Sequence, residues 1–257
     1  MSALHLEVSG RGPPLLMLHG WGLNLRVFDA LAGELADFRV LRLDLSGHGA
    51  SAWDPRASSI AGQAQWVAET VRSHLGPCAV LGWSIGGQIA LELAAAAPGL
   101  VERLVLVAAT PRFTTSNDWP HGMTLQALES FATRLEEDWR RTVSDFLELQ
   151  VRGSAGGERV LRQLQSALIA HGEARPEALA AGLASLRDTD LRARLREVRQ
   201  PALVIAGQYD RITPPLASRA LAKELASARY LELRRAGHAP FLSHKREFVQ
   251  AVRGALA

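Results

Sequence analysis

Short runs of consecutive apolar residues recur along the chain, each closed by a glycine, a proline or a polar turn. They are Leu15–Leu18, Val40–Leu43, Ala79–Leu81, Leu104–Ala108, Leu203–Ala206 and Tyr230–Leu233. Runs this short, with little polar alternation, fit strands covered on both faces, as in a parallel sheet. Between them lie stretches whose apolar positions recur at helical spacing: Ser59–Leu75, Gly86–Ala96, Pro215–Leu225 and Ser243–Leu256, the last with Ser243 placed as a cap. This alternation predicts an α/β fold, a mostly parallel central sheet with helices on both faces. Leu4–Val8 alternates instead and stops at Gly10, Gly12, Pro13 and Pro14, which reads as the first arm of an antiparallel hairpin.

The rhythm fails after Pro111, where strand patterns vanish, and it returns only after Asp190, at Pro201 and the run that follows it. Leu125–Leu149 reads as one or two amphipathic helices, and Ser154–Gly157 and Gly172–Pro176 read as turns. The expected organisation is a single domain, with residues 1–110 and 190–257 forming the core and residues 111–189 an inserted helical lid.

Composition narrows this little. The chain has 257 residues, 47% of them hydrophobic, enough for one large core, and no apolar run approaches the roughly 20 residues that span a bilayer. The first residues lack the basic and apolar regions of a secretory signal, so a cytoplasmic, soluble protein is expected, with no membrane partner. Cys78 is the single cysteine and excludes both an internal disulfide and a thiolate metal cluster. The net charge of +3 comes from scattered arginines without a basic block, so no nucleic-acid partner is expected, and a monomer is the expected state.

One motif changes the picture. Gly82-Trp83-Ser84-Ile85-Gly86 matches G-x-S-x-G between an apolar strand and a helix, the context in which a sharp turn presents a nucleophilic serine. A serine hydroxyl needs a base and a carboxylate that orients it. Asp210 follows the run Leu203–Ala206, and His238 follows Tyr230–Leu233 in Ala236-Gly237-His238, so Ser84, Asp210 and His238 form the expected triad. The other histidines compete poorly. His244 and His48 read as surface or turn residues, His74, His121 and His171 have no partner motif, and His5 sits on the first strand pattern. Asp44 also ends a strand but precedes the nucleophile, and it reads as the start of a tight loop near the site.

Hydrolysis through an acyl-enzyme needs two N–H donors for the oxyanion. Ile85, directly after the nucleophile, supplies one, and Trp21, in His19-Gly20-Trp21-Gly22, is expected to supply the other. No H-E-x-x-H, phosphate loop or dinucleotide fingerprint occurs, so no metal and no cofactor is expected and the chemistry should need only water.

Together, His19-Gly20-Trp21-Gly22-Leu23-Asn24, the nucleophile motif with Gly87, Asn117-Asp118-Trp119-Pro120, Phe146-Leu147-Glu148-Leu149-Gln150 and Gly237-His238-Ala239-Pro240-Phe241 strongly resemble the carboxylesterases of biotin synthesis. These are α/β-hydrolases that cleave the methyl ester of pimeloyl-acyl carrier protein. The resemblance implies that fold, that reaction, and a substrate channel lined by Trp21, Ser84, Ile85, Phe146, Leu147, Glu148, Leu149, Gln150 and His238, with Trp83 as an apolar wall. Taken alone, the residues of the Phe146 segment also fit ordinary helix packing. An acidic acyl carrier protein becomes the implied partner, received by Arg141, Arg159 and Arg162; Asp145 and Glu158 depart from the basic pattern expected there. The core and triad are equally compatible with a broad short-chain esterase or a carbon–carbon bond hydrolase, and less readily with a noncatalytic receptor.

Overall fold

The computed structural model describes residues 4–257. Among the described residues, seven strands form one sheet: β1 (Leu6–Ser9), β2 (Pro14–Leu18), β3 (Arg39–Leu43), β4 (Cys78–Trp83), β5 (Val101–Val107), β6 (Ala202–Gly207) and β7 (Ala228–Leu233). Their spatial order is β1-β3-β2-β4-β5-β6-β7; only β1 is antiparallel to its neighbour. The hairpin expected at the N-terminus is not formed. β1 pairs with β3, Leu6 opposite Leu43, because β2 is already flanked on both edges by parallel partners. Pairing partners are a tertiary choice that local alternation does not encode.

The helices are α1 (Asp29–Glu34), α2 (Ile60–His74), α3 (Ile85–Ala96), α4 (Leu125–Glu137), α5 (Trp139–Val151), α6 (Gly157–His171), α7 (Pro176–Asp188), α8 (Pro215–Glu224), α9 (Pro240–Ser243) and α10 (Lys245–Leu256). The core divides across the sheet as the two-residue period of a strand demands. Leu16, Leu18, Val80, Leu104, Leu106 and Val204 face a cluster that includes Val67 and Val71 of α2, Ile89 and Leu93 of α3 and Leu221 of α8. Leu15, Met17, Leu81, Val105, Val107 and Ile205 face the other, with Leu31 of α1 and Phe248 and Val252 of α10. Every residue of β4 and β6 is buried, which is why these strands read as unbroken apolar runs.

Four helices, α4 to α7, lie between β5 and β6 in the chain. The 125–149 stretch is two helices because Asp138 breaks it: its extended backbone (φ −152°, ψ 90°) ends α4, while its carboxylate accepts from Arg141 N at 3.0 Å and caps α5. Ser243 does not cap α10. It ends the short helix α9, with its hydroxyl beside His244 Nδ1, and no side chain caps α10. Pro240, two residues after His238, fits the first turn of a helix and starts that extra turn.

Candidate active site

The turn between β4 and α3 is tight enough to force Ser84 to φ 58°, ψ −121°, a conformation that costs free energy in a non-glycine residue. The neighbouring glycines permit it: a Cβ on Gly82 would collide with the Gly86 carbonyl oxygen, and one on Gly86 with that of Leu18. Ser84 N donates to Val107 O at 2.9 Å, which fixes the turn to β5. The serine is buried at the C-terminal end of the sheet, at the N-terminus of α3.

Asp210 and His238 follow β6 and β7 and meet in the interior: His238 Nδ1 and Asp210 Oδ2 are 2.8 Å apart. The other oxygen, Oδ1, accepts from the backbone of Ile212 and Thr213, both at 2.9 Å. These bonds hold the carboxylate in one orientation. A carboxylate can only accept, which leaves Nδ1 as the donor of this pair and Nε2 as the basic nitrogen. His238 Nε2 is buried without a hydrogen-bond partner among the described residues.

The loop bearing the histidine is fixed from two sides. Its N–H donates to Gln150 O at 3.0 Å, and its carbonyl accepts from the Trp83 indole at 2.8 Å. Trp83 is itself clamped edge-on against Phe241, with centroids 5.1 Å apart. The tryptophan of the nucleophile motif thus points into the core and supports the histidine loop.

The backbone N–H groups of Trp21 and Ile85 have no hydrogen-bond partner among the described residues. The Trp21 loop is held by two buried histidines, His19 and His48. His48 is buried, not a surface residue; its Nε2 lies 3.4 Å from Gly22 N and its Nδ1 3.1 Å from Ser46 O. Burial drives the pKa of His48 down to about 3. His19 is lowered as well, chiefly by burial, and its Nε2 accepts from Leu45 N at 3.0 Å. Both rings therefore remain neutral and join the Trp21 loop to the loop after β3. The same loop is ordered by Asp44, whose carboxylate accepts from Leu25 N at 2.8 Å and Ala50 N at 2.9 Å.

Residues 146–150 divide around α5. Phe146 and Leu149 line a cavity of about 30 Å³ with Trp21, Phe113, Phe131 and Leu183, and Phe146 meets Trp21 edge-on at 5.1 Å. Leu147 turns to the opposite cluster with Val151 and Val160, and Glu148 is exposed. Helical periodicity sends adjacent residues to different faces, so the five do not share one wall. Gln150 is buried, and its side-chain amide has no partner among the described residues. Trp21 also borders a second cavity, of about 20 Å³, with Ile85, His48 and Gly182. Each has room for about one water, not for an acyl chain.

Arg141, Arg159 and Arg162 are exposed. Arg159 and Arg162 share an open cleft of about 410 Å³ with Arg26, Asp29 and Leu242; Arg141, on α5, does not border it. Arg159 donates to Leu242 O at 3.2 Å, and Arg162 lies 3.9 Å from Glu158.

A sharp serine turn, a carboxylate-held histidine and two free N–H groups over a parallel sheet define an α/β-hydrolase, and the model of the alpha/beta hydrolase fold family matches residues 13–245. An esterase from Exiguobacterium antarcticum has the same fold, with a TM-score of 0.90 at 23% identity, covering 100% of this chain and 99% of that one. The pimeloyl-[acyl-carrier protein] methyl ester esterase of Nitrosomonas europaea is 41% identical over 250 residues, 97% of this chain and 98% of that protein. The protein of the same name from Chromobacterium violaceum is 41% identical over 251 residues, 97% and 96% of the respective chains. The chain belongs to the pimeloyl-[acyl-carrier protein] methyl ester esterase family of α/β-hydrolases. No helix among the described residues is long and apolar enough to cross a membrane.

Proposed function

We propose that this chain hydrolyses the methyl ester of pimeloyl-acyl carrier protein, giving pimeloyl-acyl carrier protein and methanol, a step in biotin synthesis. The observation that carries the chemistry is the buried pair of His238 Nδ1 and Asp210 Oδ2 at 2.8 Å, with Nε2 left unengaged. The substrate rests on the near full-length similarity to relatives named for it.

Ser84 Oγ attacks the ester carbonyl as its proton passes to His238 Nε2. The N–H groups of Trp21 and Ile85 take the oxyanion, helped by the positive end of α3. His238 returns the proton to the departing methoxide, and methanol leaves an acyl-enzyme. His238 then deprotonates a water that attacks the same carbonyl, Ser84 recovers its proton, and the free carboxylate is released. The thioester at the far end of the acyl chain stays outside this geometry and survives.

Residues 111–189 act as the lid. Trp21, Ile85, Phe146 and Leu149 contact the acyl chain once the insertion shifts to widen the two small cavities beside Trp21, and the buried amide of Gln150 is available to a polar group of the ligand. Leu147 and Glu148 shape the channel only through the helix they belong to. Arg141, Arg159 and Arg162 receive the acidic carrier and its phosphopantetheine arm, for which the guanidinium fork is suited. Soluble cytoplasmic placement accords with a carrier-bound substrate.

The test is mass spectrometry of purified carrier bearing the methyl-esterified acyl chain, incubated with the enzyme or with Ser84→Ala. Loss of the methyl group with the thioester intact, absent in the variant, is the expected result. Faster turnover of free short-chain esters at equal concentration would overturn the assignment in favour of a general esterase. Binding without turnover would mark a receptor.

A further inference from the structure

His5, Asp44 and His171 are far apart in the chain and belong to three different segments. His5 precedes β1, Asp44 follows β3, and His171 is the last residue of α6. One ligand atom from each lies within 4.8 Å of the other two. His171 Nε2 and Asp44 Oδ2 are 2.8 Å apart, and the two imidazoles stand 5.0 Å apart between centroids.

We propose that these three residues form a site for a zinc-class divalent metal ion that fastens the base of the helical insertion to the core. Four features support it. First, His5 Nε2 is a buried ring nitrogen without a hydrogen-bond partner among the described residues, a costly arrangement that a ligand would relieve. The nearest acid, Glu7, has Oε1 3.9 Å from that nitrogen and is engaged by Arg26 and Arg42.

Second, Asp44 is already oriented as a one-oxygen ligand. Its Oδ1 accepts from Leu25 N, and its Oδ2 accepts from Ala50 N, the kind of outer support that fixes a metal-binding carboxylate. Third, two imidazoles and one carboxylate suit zinc, nickel or copper, not magnesium or calcium, which prefer oxygen throughout. A tetrahedral set around an ion with ~2.1 Å bonds has donors roughly 3.4 Å apart. Rotations of His5 and His171 therefore suffice to close the cluster, with water as the fourth ligand. Fourth, the His5 side chain is 37% exposed although Nε2 itself is covered, so a rotation of its ring admits an ion from solvent without the core opening.

None of the three residues belongs to the triad or the oxyanion loop, so this site is structural and stands independently of the proposed reaction. It escapes sequence reading because no two ligands lie within a metal-binding spacing of each other.

The test uses tag-free, chelator-treated full-length protein titrated with zinc chloride, and with cobalt chloride followed by visible absorption. One zinc per chain is expected. At a hundredfold excess over Kd, the melting temperature should rise by roughly 5 °C or more. Cobalt should give the intense visible bands of a four-coordinate nitrogen–oxygen site. His5→Ala and His171→Asn, each checked by circular dichroism and by unchanged turnover of a small ester, should lose both responses. Absence of a stoichiometric ion in the parent protein overturns the proposal. Stoichiometric binding that persists in both variants overturns it as well.

Discussion

The backbone N–H of His238 donates to the carbonyl oxygen of Gln150 at 3.0 Å, which ties the histidine loop to the last turn of α5 in the helical insertion. Gly237 makes this approach possible, since a Cβ there would lie 2.5 Å from the same oxygen. Gly237→Ala must therefore push α5 and the His238 loop apart. Steady-state kinetics on a small chromogenic ester should show kcat reduced at least tenfold with KM little changed. An unchanged kcat would mean that the loop adapts freely.

Asp210 holds His238 in one tautomer, and Asp210→Asn keeps the shape while inverting the hydrogen bond. A loss of roughly 10⁴-fold in kcat is expected, the magnitude seen when such a tautomer is reversed. Ser84→Ala should leave no burst of acyl-enzyme in a stopped-flow assay.

Trp83→Phe removes the indole donor to the His238 carbonyl while keeping much of the contact with Phe241. A lost buried hydrogen bond of this kind costs about 1 to 3 kcal/mol. Thermal unfolding should register the loss as a lower Tm, and kcat should fall more than KM rises.

Gly182 sits against the Trp21 indole, and a Cβ at that position would come within 2.6 Å of the ring. Gly182→Ala should tilt Trp21 toward Phe146 and shrink the apolar cavity they share. Comparing esters of increasing acyl length should show a shift toward shorter chains by several-fold in kcat/KM. A uniform change at every length would count against Trp21 as the wall that measures the chain.

His48 is neutral when folded down to a pH of about 3 and is protonated near its ordinary value of 6.5 when unfolded. Below pH 6.5 the unfolded chain binds the extra proton, so stability falls as pH drops toward 3, with a slope approaching about 1.4 kcal/mol per pH unit. His48→Gln, which keeps an acceptor and a donor but does not titrate, should flatten this dependence in denaturant titrations between pH 6 and 4. Equal slopes in both proteins would contradict the assignment.

The strands, and the positions of Ser84, Asp210 and His238 after the ends of β4, β6 and β7, were legible because each depends on local pattern: buried parallel strands are continuous apolar runs, and the three candidate residues follow them. What was not legible depends on which distant segments meet. The pairing of β1 with β3, the burial of His48 beneath Gly22 and the meeting of His171 with Asp44 have no local signature. The 146–150 segment lies between these cases. Its five residues stand together in the chain, yet the helix sends Phe146 and Leu147 to opposite clusters. Within the insertion, the cap at Asp138 was readable in principle, since an aspartate directly before an apolar residue, here Trp139, is a helix-start signal.

The Trp21 indole donates to Leu179 O of α7 at 2.9 Å, while its own backbone belongs to the loop beside the nucleophile. With the bond from His238 to Gln150, this means that two elements of the proposed reaction centre borrow their alignment from the four-helix segment. A chimera that received this segment from another hydrolase would inherit a new recognition surface and, in the same exchange, a misaligned reaction centre. Redesigning what the enzyme accepts therefore calls for substitutions that respect residues 150 and 179 as fixed points of the backbone.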